Sequence, residues 1–78
     1  MEKPGLQELF LNSLRKENIP ATFFLVNGFQ MKGILTAFDS FTILVRCGEE
    51  QNMIFKHAVS TIIPQAPIDL SPLYGEFA

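Results

Sequence analysis

The spacing of hydrophobic residues divides the chain into a helical part and a later part with the spacing of strands. Near the N-terminus the apolar positions recur at helical intervals and form one stripe, made of Leu6, Leu9, Phe10 and Leu14. Asn18 suits the end of a helix, and Pro20 cannot continue one. The pattern therefore predicts a single helix over residues 6–18.

From Ala21 onward the hydrophobic period is two, and aromatic and β-branched residues are frequent. Asn27-Gly28 favours a tight hairpin because both residues tolerate positive φ. Gly33 predicts a bend or bulge, which would let one strand serve both sides of a barrel. The strands are predicted at residues 21–26, 29–38, 41–47, 52–56 and 60–63. The expected fold is mainly β with an N-terminal α-helix, in which a five-stranded, strongly bent antiparallel sheet forms a small open barrel.

The length of the chain limits its domain organisation. Seventy-eight residues have room for one domain only. We expect a flexible lead at residues 1–5, the folded domain at residues 6–64 and a short, poorly ordered tail at residues 65–78. Four apolar tail residues could dock on the domain: Leu70, Leu73, Tyr74 and Phe77.

Oligomerisation is the expected source of additional stability, because a core of this size is small. Cys47 is the only cysteine, which excludes an internal disulfide. One histidine and one cysteine cannot supply the roughly four ligands of a structural zinc site. The last two predicted strands are short and apolar, so their edges need a partner. If the fourth strand of one subunit pairs with the fifth of the next, this head-to-tail contact can close into a ring.

The charges are few and nearly balanced. The net charge is −2; of the eight acids, Asp69 and Glu76 lie in the tail, and subtracting them leaves six acids against six bases in residues 1–64. The bulk positive charge that is typical of nucleic-acid binding is therefore absent. Lys56 and His57 stand side by side between two apolar segments. A ring would repeat these two residues around a central opening.

Other classes of protein are disfavoured by what the sequence lacks. No segment approaches the roughly twenty apolar residues of a membrane helix, and there is no apolar signal core, so a cytoplasmic protein is expected. No nucleophile with its base, phosphate loop or carboxylate pair indicates an enzyme. We therefore expect no catalytic residue, metal, cofactor or small-molecule substrate.

Four segments carry a resemblance to a known family: LQELFLNSLRKE, FFLVNGFQMKG, FDSFTILV and FKHAVSTIIP. From Leu6 to about Pro64 the chain resembles the bacterial Hfq family of RNA chaperones, part of the Sm-like superfamily. The resemblance implies a homohexameric ring that binds U-rich RNA on its helix-bearing proximal face, A-rich RNA on its distal face and other RNA on its rim. Such rings pair small regulatory RNAs with mRNAs in post-transcriptional regulation and the stress response. The alternative is a small, monomeric SH3-like barrel that acts as a protein-interaction or structural module.

The resemblance implies a proximal set of RNA-binding residues: Gln7, Phe38, Ser40, Phe41, Lys56 and His57. In this set Phe41 stacks on a base, while Gln7 and Lys56 select uracil. Ser40 stands where the family often has glutamine, and Phe55 stands where many members have tyrosine, so two polar contacts are shortened or lost. Without a ring, Phe41 is more simply interpreted as a core aromatic and the Lys-His pair as an ordinary strand end.

The resemblance also implies a distal set: Phe24, Leu25, Asn27, Gly28, Phe29, Gln30, Met31, Lys32, Asn52 and Thr61. Aromatic and aliphatic members form stacking slots, and backbone amides near Gly28 and Phe29 read purine edges together with Thr61. Asn52 stands where some relatives have glutamine, which weakens or rearranges the adenine contact. A surface hairpin with a few exposed apolar residues is the plainer interpretation.

A third set lies on the polar stripe of the predicted helix and consists of Asn12, Arg15 and Lys16. The family has a basic rim patch at these positions, whereas a solvated helix face is the general alternative. Lysine lacks the planar fork of arginine, and the neighbouring Glu8 and Glu17 dilute the positive field. We therefore expect a rim of weak activity.

Overall fold

The computed structural model describes residues 5–70. The expected flexible lead therefore lies outside the described residues except for Gly5. The same holds for the proposed docking of Leu73, Tyr74 and Phe77. The first part of the tail is attached to the domain, because the Gln65 amide donates a hydrogen bond to the Pro20 carbonyl and Ile68 packs against the core.

One helix precedes five strands. The helix α1 spans Leu6–Glu17, and it ends at Asn18, which adopts a left-handed conformation (φ 52°, ψ 42°). The strands are β1 (Pro20–Leu25), β2 (Gln30–Phe38), β3 (Thr42–Cys47), β4 (Glu50–Phe55) and β5 (Val59–Pro64). A 3-10 turn, Lys56–Ala58, joins β4 to β5. The predicted order of elements is confirmed.

Several boundaries differ from the expected ones by one or two residues. Lys56 was expected to end the fourth strand, but it begins the 3-10 turn. The fourth strand begins two residues early, at Glu50, because Gly48 (φ 63°) allows a reversal tight enough for Glu50 to pair with Cys47. Val26 leaves β1 because its amide bonds to Ala58 in the 3-10 turn instead.

The five strands form one antiparallel sheet in the order β4-β3-β2-β1-β5. The central strand β2 pairs with β1 through its first half and with β3 through its second half, and Ile34 has a partner on both sides. A register shift between Leu35 and Ala37 marks an irregularity of the kind that bends a strand. This arrangement leaves β4 and β5 as the two outer strands.

Gly33 allows two backbones of the sheet to approach closely. A Cβ atom at this position would lie 2.5 Å from the Arg46 carbonyl oxygen and 2.8 Å from a Val45 methyl carbon. The register shift itself lies two residues further on, after Leu35. Gly33 therefore allows close packing of the bent strand. The bulge that the sequence predicted at this glycine is found two residues later, after Leu35.

The core lies between the helix and the inner side of the sheet. Its buried hydrophobic members are Leu11, Leu14, Ala21, Phe23, Leu35, Ile43, Val45 and Ile54. The helix contributes Leu11, which the predicted stripe omitted, while Leu6 is half exposed. Cys47 is half-buried, and its Sγ packs 3.9 Å from the Met31 Sδ.

Gly33→Ala is expected to lower the free energy of unfolding by about 1–3 kcal/mol, because the added methyl group meets backbone that cannot give way easily. Gly48→Asn is the control, since its surroundings are open and asparagine tolerates a left-handed φ. Urea unfolding of both variants at one protein concentration checks the difference. Equal stability of Gly33→Ala and the unmodified protein would contradict the role of Gly33.

Candidate nucleic-acid interface

The turn between β2 and β3 is organised by one carboxylate. The Asp39 Oδ1 accepts hydrogen bonds from the Phe41 amide (2.9 Å), the Thr42 amide (2.8 Å) and the Thr42 hydroxyl (2.7 Å). Asp39 therefore caps this turn. The turn directs Phe41 outward, where 78% of its surface is exposed. Phe41 is thus no core residue, and its ring can stack on a ligand.

These hydrogen bonds also change the acidity of Asp39. The Phe41 amide, the Thr42 hydroxyl and the Thr42 amide stabilise the charged form, so they hold the pKa of Asp39 below its ordinary value of 3.8. The positive charge of Lys56 lowers this pKa slightly further. The turn thus carries a negative charge at neutral pH.

Lys56 lies beside this turn through two contacts. Its amide donates a 2.7 Å hydrogen bond to the Phe41 carbonyl. Its ammonium lies 5.5 Å from the centroid of the Phe38 ring, which is a cation–π distance. The structure therefore brings three members of the proximal set together: Phe38, Phe41 and Lys56.

His57 follows in the 3-10 turn and has an aromatic neighbour of its own. Its imidazole stacks on the Phe55 ring with centroids 5.6 Å apart and planes 13° from parallel. At the end of the turn, the Ala58 carbonyl accepts a 2.8 Å hydrogen bond from the Val26 amide. The turn is thus bonded to the β2–β3 turn at one end and to the β1–β2 hairpin at the other.

Two grooves meet at Lys56. The first, of about 290 Å³, is lined by Gln7, Phe10, Leu11, Ile43, Lys56, Val59, Ser60, Thr61 and Ile62. The second, of about 250 Å³, is lined by Glu8, Phe38, Asp39, Ser40 and Lys56. The first groove thus combines apolar residues with Gln7 and Lys56, while the second combines Phe38 and Lys56 with the carboxylates of Glu8 and Asp39. The exposed ring of Phe41 lies next to them. Such a surface can hold an unstacked base and hydrogen-bond to its edge.

A second cluster lies on the outer side of the sheet. Phe24 stands opposite Gln30 on β2 and opposite Thr61 on β5, so these three side chains form one cross-strand row. Thr61 also borders the groove of about 290 Å³ at Lys56, so β5 lies between the two clusters. The next row along the strands contains Thr22, Lys32 and Ile63. Four members of the distal set therefore share the face that points away from the core: Phe24, Gln30, Lys32 and Thr61.

The hairpin next to this row exposes Phe29 to 71%. Gly28 has a φ of 96°, as the Asn-Gly signal predicted. The Gly28 amide donates to the Leu25 carbonyl, and the Phe29 amide donates to the Asn27 Oδ1, each at 3.0 Å. Both amides that were expected to read purine edges are thus used to close the hairpin.

Comparison with known proteins agrees with this geometry. The model of the family described as Hfq protein matches residues 6–69. The chain belongs to the Hfq family. The RNA-binding protein Hfq of Desulforamulus reducens is 52% identical over 73 residues, which cover 91% of each chain. That of Carboxydothermus hydrogenoformans is 55% identical over 65 residues, or 83% of this chain and 76% of the relative.

The fold of Hfq is confirmed by a solved structure. The 1.55 Å crystal structure of the pleiotropic translational regulator Hfq matches with a TM-score of 0.74 and 32% identity, over 76% of this chain and 98% of the other. The bent sheet with its N-terminal helix is therefore the Sm-like fold of Hfq. Membership in a family of RNA-binding proteins favours RNA as the ligand over the peptide of an SH3-like barrel.

Three residues of the distal set lie apart from the exposed row of this Hfq chain. Met31 stands opposite the buried Phe23 and packs against the core, as does the half-buried Leu25. Asn52 stands opposite the buried Val45 and thus faces the inner side of the sheet. Within one chain, none of these three joins the row around Phe24.

The rim set of this Hfq chain lies on the exposed side of α1. The Arg15 Nη2 donates a 2.6 Å hydrogen bond to the Asn12 Oδ1, so part of the guanidinium is already used. Lys16 lies exposed in the last turn of the same helix. The weak activity of this rim stays a prediction.

Sequence reasoning missed two neighbours of the 3-10 turn. Val26, which is 66% exposed, bonds to Ala58 across 32 residues of chain, and no local pattern signals that contact. The stack of Phe55 on His57 was also missed, although their spacing of two residues at a strand end allows such contact.

Two kinds of feature are absent from residues 5–70, the part of the chain that the structure describes. In this part of the chain no helix is long and apolar enough to cross a membrane. The same residues contain no group of three or more His, Cys, Asp or Glu side chains that could hold a metal ion.

Acid is expected to destabilise the protein partly through Asp39. Because the pKa of Asp39 is lowered in the folded state, its carboxylate contributes stability that is present above about pH 4 and is lost as the pH falls through the folded-state value. Asp39→Asn keeps an oxygen acceptor without the charge. Urea unfolding between about pH 7 and pH 2 should therefore show a smaller loss of stability for this variant, and an unchanged acid dependence would contradict the assignment.

Proposed function

We propose that this member of the Hfq family is an RNA chaperone that binds U-rich small RNAs through the proximal set and A-rich RNA through the distal set, and thereby promotes pairing of small RNAs with mRNAs. The observation that carries the proposal is the separation of two clusters in one small domain. One cluster surrounds Lys56 and Phe41 near the helix, and the other surrounds Phe24 on the outer side of the sheet.

A closed homohexamer is the assembly we propose, and the outer strands of the sheet support it. β4 and β5 each have a neighbour on one side only within the chain. Large apolar side chains on these strands are half exposed or more: Met53 (63%), Phe55 (52%) and Ile63 (52%). Pairing of β4 with β5 of the next subunit would satisfy both edges and cover part of this surface. The number of subunits, six, is inferred from the resemblance to the family.

The ring explains how a nearly neutral chain can bind a polyanion. Rotational symmetry would bring one Lys56 from each subunit around a common opening. The few basic residues of each chain would then together form a concentrated positive surface. The salt dependence of binding then reports these phosphate contacts. Without the ring, a single exposed ammonium would give only weak attraction.

On the proximal side, the Phe41 ring is proposed to stack on a base, which is worth about 1–3 kcal/mol for any base. Selection of uracil then needs hydrogen-bond donors for its carbonyl oxygens, and Lys56 and Gln7 line the same groove. Ser40 lines the second groove with a shorter polar group than glutamine. His57 is proposed to donate to a ribose or phosphate oxygen.

On the distal side, Phe24 and Phe29 are proposed to stack on purines. The amides of Gly28 and Phe29 are already bonded within the hairpin. Recognition of the purine edge is therefore assigned to the side chains of Thr61 and Gln30, which flank Phe24 in the same row. The pocket that we propose thus depends on side chains more than on backbone.

The two faces are tested with two sets of substitutions and two RNAs. Lys56→Ala combined with His57→Ala should weaken oligo-U binding about 10-fold or more and leave oligo-A binding nearly unchanged, because the charge and donor lie in the proximal set.

Phe29→Ala should weaken oligo-A binding about 5-fold or more and spare oligo-U, because it removes a stacking ring. Fluorescence anisotropy at fixed salt measures each affinity.

Native mass spectrometry of all three proteins is the control, since a change in the number of subunits would alter both affinities together. Equal loss of both RNAs in either variant would contradict separate faces. A stable single chain at micromolar concentration that binds neither RNA would contradict the proposed function as a whole.

A further inference from the structure

The aromatic stack of Phe55 on His57 has no role in the RNA contacts proposed above. The centroid distance of 5.6 Å and the interplanar angle of 13° are those of an offset parallel stack. Within one chain both side chains are exposed, Phe55 to 52%, so burial in the core does not force the two rings together. In the proposed ring, Phe55 also belongs to the apolar surface that the next subunit would partly cover.

The backbone around His57 is held from both sides. The Lys56 amide is bonded to the Phe41 carbonyl at 2.7 Å, and the Ala58 carbonyl accepts from the Val26 amide at 2.8 Å. With the backbone fixed in this way, the torsions of the His57 side chain are its main remaining freedom. Within residues 5–70 the stack on Phe55 is the contact that restricts them, since no hydrogen bond to the imidazole is formed there.

Lys56 shows the same arrangement one residue earlier. Its ammonium lies over the Phe38 ring at 5.5 Å, while the imidazole of His57 lies against the Phe55 ring. The ammonium of Lys56 and the imidazole of His57 thus each lie against an aromatic ring. Ordering a side chain before the ligand arrives reduces the entropy lost on binding.

We propose that Phe55 is a positioning residue, which holds the imidazole of His57 in the orientation that contacts U-rich RNA. This inference rests on the proposed function of the proximal set. One face of the imidazole is covered by Phe55, and the ring nitrogens at the edge remain available to an oxygen of ribose or phosphate. The stack needs only an aromatic ring, so the hydroxyl of a tyrosine at this position is not required for it.

A double-mutant cycle on the complete protein tests the proposal, with oligo-U as the probe. Phe55→Leu removes the ring but keeps an apolar side chain, and it should weaken oligo-U binding about 3- to 10-fold. In the His57→Ala background the same change should have almost no further effect, because the ring would have nothing left to position. Phe55→Tyr keeps the ring and should bind oligo-U at least as tightly as the unmodified protein.

Two controls separate positioning from assembly. Met53→Leu changes another exposed apolar residue of β4 without touching the His57 stack, so it should leave oligo-U affinity unchanged. Native mass spectrometry reports whether each variant keeps the same number of subunits. If Phe55→Leu does not assemble, Phe55→Met takes its place, because methionine also lacks the ring.

NMR of the unmodified protein gives a readout that needs no variant. Nuclear Overhauser contacts between the ring protons of Phe55 and His57 are expected in the free state, and their absence would overturn the stack itself. Unchanged oligo-U affinity in Phe55→Leu, or losses that simply add in the double variant, would overturn the positioning role.

The outcomes also distinguish this inference from the proposed function. If Lys56→Ala weakens oligo-U binding but His57→Ala does not, the positioning role fails while the proximal face stands. If the unmodified protein does not bind oligo-U, both fail together.

Discussion

The double pairing of β2 is the constraint on which the rest of this structure depends. One strand pairs with β1 through its first half and with β3 through its second, and Ile34 lies where the partners change. The backbones approach so closely at Gly33 that only glycine fits without a shift. Because β2 holds the centre, β4 and β5 become the outer strands. The open edges that the proposed ring would pair therefore follow from the strand order around β2.

The bent sheet also brings polar residues to the ends of strands, where short turns hold them. Asp39 uses one carboxylate oxygen to close the β2–β3 turn and thereby directs Phe41 outward. The 3-10 turn that begins at Lys56 is bonded to this turn and, through Val26, to the β1–β2 hairpin. Both proposed RNA-binding clusters thus share one short backbone segment as their support. A small domain can place exposed aromatic and cationic groups accurately in this way, because the hydrogen bonds of the turns limit their movement.

The departures from the family pattern have local physical consequences. Ser40 lines a groove with Lys56 but presents only a short hydroxyl. Phe55 lacks a tyrosine hydroxyl but keeps the ring that stacks on His57. Changes of this kind alter which atoms can bond to a base while leaving the apolar surfaces for stacking in place.

Local patterns in the sequence determined the helix, the five strands, the Asn27-Gly28 hairpin and the Asp39 cap, because each depends on residues close together in the chain. The resemblance added the family and its candidate sites. Only the tertiary structure decided which way several side chains point: Met31 faces the core because the pairing register places it opposite the buried Phe23. Tertiary structure likewise placed Lys56 in a 3-10 turn, since the hydrogen bonds that hold this turn come from parts of the chain far away in sequence. Orientation and long-range hydrogen bonding depend on strand register, which alternating hydrophobicity alone does not specify.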